Sequence, residues 1–86
     1  MTTRVKKKIS PDKRRKEGLD LVAIGRRIRE LRGFDMQQAE FARLLGVSQS
    51  QLSKYERGVT APSAEVLTHL AEKCGKSVDW ILRGEA

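Results

Sequence analysis

A polar stretch in the middle of the chain carries the side chains with the clearest chemistry. Residues 46–58 read GVSQSQLSKYERG, and residues 46–55 contain no carboxylate. In a helix, five polar positions of this stretch share one face, namely Gln49, Ser50, Ser53, Lys54 and Arg57. Glutamine, lysine and serine side chains hydrogen-bond base edges in the major groove of DNA. The spacing therefore predicts a helix whose exposed face reads double-stranded DNA, with Gln51 as a lesser candidate.

The residues around this helix predict how it is positioned. Ser48 and Gln51 have the spacing of a capping box at a helix start. Only Leu52 and Tyr55, with the preceding Val47, can turn toward a core. A connection of three or four residues that begins with glycine joins this helix to the one before it, which is the pattern of a helix-turn-helix.

Hydrophobic periodicity predicts four further helices around this one. The five expected helices cover residues 21–32, 37–45, 49–57, 64–74 and 79–82, and a short helical turn is expected at 13–17. Asp20 caps the first helix, either Asp35 or Gln37 caps the second, and Ser77 caps the last. No segment alternates as a strand does. The fold class is therefore all-α with five short helices, formed by residues 20–86 and preceded by a basic, flexible arm at 1–19.

Composition limits the function classes. The chain has 86 residues, 38% hydrophobic and 34% charged, which suits one small domain. The longest apolar run, residues 21–24, is too short for a membrane span or a signal peptide, so a cytoplasmic, nucleoid-associated protein is expected. Cys74 and His69 are the only cysteine and histidine. We therefore expect no metal, no cofactor and no enzyme.

Positive charge is concentrated at the start of the chain. Residues 1–20 carry eight basic and three acidic side chains, a net +5 of the total +7. Such an arm suggests a polyanionic partner, nucleic acid before an anionic membrane surface, although a solubilising tail has the same composition. The predicted arm contacts are Arg4, Lys6, Lys7 and Lys8.

Several ordered motifs resemble one family. IGRRIRELR at 24–32, QAEFA at 38–42, LGVSQ at 45–49, YERG at 55–58 and SVDWIL at 77–82 follow each other at family spacing. Together they resemble the Cro/repressor-type (XRE) helix-turn-helix family over residues 21–84. The resemblance implies a lambda-repressor-like fold. The connection between the first two helices is one residue shorter than the common pattern, and residues 58–63 lack the basic residues of some relatives.

The resemblance also implies roles for particular residues. Gln49, Ser50 and Lys54 would face base edges, and Arg32 would pair with Glu56. The residues expected to contact phosphates are Gln37, Gln38, Arg43, Tyr55 and Arg57, with Tyr55 half-buried and its hydroxyl toward the DNA backbone. Relatives often dimerise through the last helix.

Four further expectations concern the second half of the chain. We expect Trp80 to complete the core over the first helix, and Ile81 and Leu82 to form a homodimer interface. Cys74 is expected to be a buried small hydrophobe and His69 to be solvated.

Two functions follow from these patterns. The first is a transcriptional regulator, a repressor by preference, that binds a palindromic operator as a dimer with its third helix in the major groove. The alternative is an antitoxin-like module that neutralises a toxin-like protein partner and regulates itself through DNA binding. The basic arm is the segment expected to hold such a partner.

Overall fold

The fold is an assembly of five short helices. A computed structural model of the chain describes residues 18–84. The helices are α1 (Leu21–Arg32), α2 (Gln38–Leu45), α3 (Gln49–Glu56), α4 (Ala64–Cys74) and α5 (Val78–Arg83). The all-α, five-helix prediction is confirmed. Compared with the expected bounds, α2 begins one residue later, α3 ends one residue earlier, and α5 is one residue longer at each end. The expected turn at 13–17 and most of the arm lie outside the described residues.

Side chains at the N-caps explain where four of the helices begin. Asp20, Ser48, Ser63 and Ser77 each accept a hydrogen bond from a backbone N–H two or three residues ahead. At α2 the N-cap position is taken by Gln37, whose side chain makes no capping bond. Each such serine or aspartate cap stabilises its helix by about 0.5–2 kcal/mol relative to alanine.

The turn between α2 and α3 is short and depends on one glycine. Gly46 has φ 78° in the left-handed region, which ordinary side chains disfavour. Its N–H lies 3.2 Å from the carbonyl oxygen of Arg43, and the N–H of Val47 donates to the carbonyl of Ala42 at 3.0 Å. The chain is then extended at Ser48, and α3 begins at the next residue. The predicted helix-turn-helix is therefore present.

Every helix contributes to one hydrophobic core. The buried residues are Ile24 and Ile28 of α1, Phe41, Ala42 and Leu45 of α2, Leu52 and Tyr55 of α3, Val66 and Leu70 of α4, and Ile81 of α5. The helix that faces outward with its polar side, α3, thus supplies two core residues.

Close backbone contact fixes the end of α3 against α1. A Cβ atom added at Gly25 would overlap the carbonyl oxygens of Tyr55 and Glu56, so only glycine fits there. One turn earlier on α1, the backbone of Val22 lies directly beneath Gly58. Backbone packing against α1 therefore compensates for the narrow apolar side of α3.

The packing of α5 corrects one expectation, the dimer interface at Ile81. Ile81 is 0% exposed and so offers no surface to a second chain. Trp80 is half-buried and packs against the core, and the Lys76 Nζ atom lies 4.6 Å from its ring centroid. Residues on a helix are rotated by about 100° each, so Ile81 points into the core while Trp80 and Leu82 pack against it from either side. Arg27 Nη1 fixes this register by donating to the Ile81 carbonyl at 2.9 Å.

Two further residues lie on α4. His69 is half-buried rather than solvated, because its Nδ1–H donates to the Leu45 carbonyl at 3.1 Å and so ties α4 to the end of α2. Cys74 is partly buried and packs against the core, as a small hydrophobe does. Burial raises the pKa of the Cys74 thiol.

Candidate nucleic-acid interface

The outward face of α3 presents the residues predicted to read bases. Gln49, Ser50 and Lys54 are exposed, and Ser53 is half-buried. The Oγ atom of Ser53 accepts a hydrogen bond from Arg57 Nε at 3.1 Å. That bond holds the Arg57 guanidinium against the helix end, at the edge of the face rather than at its centre.

The start of α3 is held by half of the predicted capping box. Ser48 Oγ accepts from the backbone N–H of Gln51 at 3.1 Å. Within residues 18–84 the Gln51 side chain makes no hydrogen bond in return, and it is half-buried. The capping that operates is therefore the serine's, and it orders the turn that carries Gln49 and Ser50.

The residues predicted to hold phosphates lie at α2 and at the end of α3. Gln37 and Arg43 are exposed, and Gln38 is half-buried at the first position of the helix. Tyr55 is 5% exposed, which is deeper than the half-buried position expected. A phosphate contact by its hydroxyl stays a prediction. Arg4, Lys6, Lys7 and Lys8 lie outside the described residues.

An ion pair joins the end of α1 to the end of α3. Arg32 Nε donates to Glu56 Oε2 at 2.8 Å, and Arg32 Nη2 donates to Glu56 Oε1 at 2.9 Å. The two side chains are 15% and 5% exposed. Arg32 Nη1 also donates to the Met36 carbonyl at 3.0 Å, which fixes the α1–α2 connection. The sequence expectation named these two residues, and the structure has them in the bidentate arrangement.

The ion pair changes the pKa of Arg32 and the net charge at the end of α3. The hydrogen bond to Glu56 raises the pKa of Arg32, burial opposes that increase, and the charge of Glu56 adds to it. With its charge matched by Arg32, the Glu56 carboxylate adds little net negative charge at the end of α3. The acid-free stretch before it then determines the electrostatics of the face.

Two hydrogen bonds connect this pair to the exposed face, and the sequence reasoning missed both. Gln38 Nε2 donates to Glu56 Oε1 at 3.0 Å, and Gln49 Nε2 donates to Gln38 Oε1 at 3.3 Å. Gln38 and Gln49 are each the first residue of their helix. No sequence signal could have found these bonds, because they depend on how α2 packs against α3.

One exposed residue of the α1–α2 connection was also not singled out from the sequence. Phe34 is fully exposed, beside Arg26 and Arg29 on the outer side of α1. In the part of the chain that the structure describes, no group of histidine, cysteine and acidic side chains could hold a metal ion. Among the same residues, no helix has the length and apolar character needed to cross a bilayer.

Helices α2 and α3 with their glycine turn, packed on α1, α4 and α5, define a helix-turn-helix DNA-binding domain of the lambda-repressor-like type. The sequence pattern of the HTH_3 helix-turn-helix family matches residues 26–81, and the chain belongs to this family. The Cro/repressor-type resemblance is thereby confirmed, and the family is a family of DNA-binding regulators rather than enzymes.

Solved structures share the fold. The P22 c2 repressor in complex with a synthetic operator has a TM-score of 0.66 and 35% identity, covering 72% of this chain and 96% of that one. The restriction-modification controller protein C.AhdI from Aeromonas hydrophila has a TM-score of 0.64 and 31% identity, covering 73% of this chain and 97% of that one.

A curated relative matches over a shorter region. Antitoxin PezA from Streptococcus pneumoniae is 41% identical over 51 residues, which is 58% of this chain and 32% of PezA. The match therefore spans about a third of that relative's length.

Proposed function

We propose that the protein is a sequence-specific repressor that binds double-stranded DNA with α3 in the major groove. The observation that carries the proposal is the exposed, acid-free face of α3, with Gln49, Ser50 and Lys54 directed outward. An α-helix fits the major groove, and residues of its first turns are the ones that reach base edges. The structural likeness to a repressor in complex with an operator supports this assignment.

In this proposal the base contacts and the phosphate contacts come from different residues. Gln49, Ser50 and Lys54 specify sequence, with Ser53 as a minor contact because its hydroxyl already accepts from Arg57. The phosphate contacts are proposed for Gln37, Gln38, Arg43, Arg57 and the Tyr55 hydroxyl. Contacts of this second kind fix the orientation of the domain and make binding dependent on salt.

The proposed complex has two copies of the chain. A dimer would set two α3 helices into successive major grooves about 34 Å apart on a palindromic operator. With Ile81 buried, Leu82 is the residue of the expected pair that still has exposed surface for a second copy. A cytoplasmic, nucleoid-associated location follows from this function.

Selection of bound duplexes from a random pool, followed by sizing of the complex, tests the proposal. The expected result is a palindromic consensus bound by two copies. Enrichment of a non-palindromic site bound by one copy would contradict the dimer alone. Absence of any enrichment, with a folded protein, would contradict sequence-specific binding.

The basic arm is proposed to add phosphate contacts through Arg4, Lys6, Lys7 and Lys8. Each neutralised phosphate contributes about −0.9 to the slope of log affinity against log salt on duplex DNA. Removal of residues 1–18 should therefore flatten that slope. An unchanged slope would eliminate the arm from DNA binding.

The second candidate function is that of an antitoxin that neutralises a protein partner and regulates its own synthesis. The match to antitoxin PezA, 41% identical over 58% of this chain, favours it. A toxin-like reading frame beside the gene, and a complex between its product and this chain, would support the antitoxin role. A partner complex that does not require residues 1–18 would contradict the arm as its binding segment.

A further inference from the structure

Glu56, Gln38 and Gln49 form one continuous set of hydrogen bonds that ends on the exposed face of α3. Glu56 Oε1 accepts from Gln38 Nε2 at 3.0 Å, and Gln38 Oε1 accepts from Gln49 Nε2 at 3.3 Å. Arg32 holds the Glu56 carboxylate from the other side, with two bonds of 2.8 and 2.9 Å. The buried end of this series is therefore rigid, and its exposed end is the first residue of α3.

The chemistry of these groups fixes which atom of each amide donates and which accepts. An ionised carboxylate has acceptors only, whereas a glutamine amide has an accepting oxygen and a donating NH₂ group. Glu56 therefore requires the NH₂ group of Gln38, and this leaves the Gln38 oxygen on the opposite side. That oxygen in turn requires the NH₂ group of Gln49. Without such partners, neither orientation of a glutamine amide is preferred, because its oxygen and its NH₂ group are nearly equal in shape.

This orientation of the amides decides which atoms of Gln49 are left for a base. With one N–H of Gln49 given to Gln38, its second N–H and its Oε1 atom have no partner among residues 18–84. This pair matches adenine, whose N7 accepts and whose N6 donates in the major groove. Because the order of donor and acceptor along the groove is fixed, an adenine on one strand fits and the reversed base pair does not.

We propose that Glu56 acts through Gln38 as a positioning residue that sets the amide orientation of Gln49 and thereby its preference for A·T over T·A. The proposal rests on the proposed DNA-binding function and adds to it a residue that touches no base. Arg32 has a different part, since it anchors Glu56 but does not decide which end of the Gln38 amide is bound.

A purely structural role for Glu56 predicts a different effect on the affinities for duplex DNA. If the carboxylate only holds α1 against α3, its loss weakens binding to every duplex equally and changes no preference. The two roles are separated by the ratio of affinities for two duplexes, because uniform effects on folding or on phosphate contacts cancel in that ratio.

The test compares Glu56→Gln with Arg32→Gln as the matched control. Both variants remove the ion pair, but only Glu56→Gln replaces the acceptor-only carboxylate with an amide that accepts or donates. Affinities are measured on duplexes that carry A·T, T·A, G·C or C·G at the base pair whose preference Gln49→Ala abolishes. Circular dichroism identifies a temperature at which each variant is folded.

We expect the wild-type chain to prefer A·T over T·A at that position by about 5- to 150-fold, the range of a bidentate side chain to base contact. Glu56→Gln should lose most of this ratio and approach Gln49→Ala, while Arg32→Gln should retain it. Gln38→Met, which leaves the ion pair intact, should lose the ratio as well and serves as the test if Glu56→Gln does not fold.

An unchanged ratio in folded Glu56→Gln or Gln38→Met would overturn the proposal while leaving operator binding in place. So would a ratio lost equally in Arg32→Gln, which would assign the effect to the ion pair, or a Gln49→Ala variant that changes no preference. If the wild-type chain itself prefers no duplex, the proposed function fails instead. The side-chain NH₂ resonances of Gln49 give a readout without DNA, and they should shift in Glu56→Gln and stay in place in Arg32→Gln.

Discussion

Helices α3 and α4 begin in the same way and use their side chains differently. Each starts at a serine N-cap, Ser48 or Ser63. The 11-residue α4 sets Val66 and Leu70 in the core, with further apolar side chains packed beside them, and its polar side mixes glutamates with Lys73. The eight-residue α3 has two buried side chains, and its outward side has no acid before Glu56.

The difference shows how each helix is held. A wide apolar stripe stabilises α4 directly, and most of its polar side faces solvent. The position of α3 depends instead on Leu52, on backbone contact with α1 at Gly25, and on the ion pair between Arg32 and Glu56. Because these contacts lie on the inner side and at the end of α3, its outer side is left available to a ligand.

Removal of one core leucine from each helix should give the largest effect. Leu52→Ala and Leu70→Ala should each lower the free energy of unfolding by about 2–5 kcal/mol, since both side chains are fully buried. Only Leu52→Ala should also weaken operator binding by the folded protein, because it loosens α3. Denaturant titration and duplex binding at low temperature check this. Equal loss of binding in both variants would contradict separate roles for the two helices.

A glycine associated with each helix gives the second test. Gly25→Ala would place a methyl group against the carbonyls of Tyr55 and Glu56, and we expect a cost of about 1–3 kcal/mol or more, together with a displaced α3. Gly75→Ala, at φ +74° after α4, meets no atom within 4 Å and should cost only the strain of that conformation. The Tm of unfolding and the operator affinity should therefore both fall in Gly25→Ala. In Gly75→Ala the operator affinity should stay near that of the wild type.

Local signals made the five helices predictable. Asp20, Ser48, Ser63 and Ser77 stand at helix starts, and the glycine at 46 stands at a helix end, where the chemistry of a single residue decides the backbone conformation. The outward residues of α3 were predictable for the same reason, since helical spacing alone sorts them onto one face. Such signals act within one turn of chain.

What could not be predicted depends on how helices pack. The sequence WIL at 80–82 does not tell which residue is fully buried; in the structure it is Ile81, whose carbonyl also accepts from Arg27 of α1. The bond from His69 to the end of α2 likewise joins residues 24 positions apart. The bonds between Gln49, Gln38 and Glu56 require the relative positions of two helices, which no local pattern contains.

The third test exchanges one lysine on each helix for alanine. Lys54 and Lys73 are both exposed, so neither change should alter the free energy of unfolding by more than about 0.5 kcal/mol. Lys54→Ala should weaken operator binding by about 1–3 kcal/mol and relax preference at one base pair, whereas Lys73→Ala should do neither. If Lys54→Ala weakens all sequences equally, the lysine contacts a phosphate only.

The smallest effects are expected at the two serine caps. Ser48→Ala and Ser63→Ala each leave one backbone N–H of a first turn without its side-chain acceptor, at a cost of about 0.5–2 kcal/mol. For a domain of this size, each kilocalorie corresponds to about 4–8 °C in Tm, so both losses are measurable by thermal unfolding. Ser48→Ala should in addition weaken operator binding a few-fold, because the turn that frays carries Gln49 and Ser50, whereas the turn that frays in Ser63→Ala is not proposed to contact DNA. Wild-type affinity in Ser48→Ala would mean that DNA itself orders the first turn of α3.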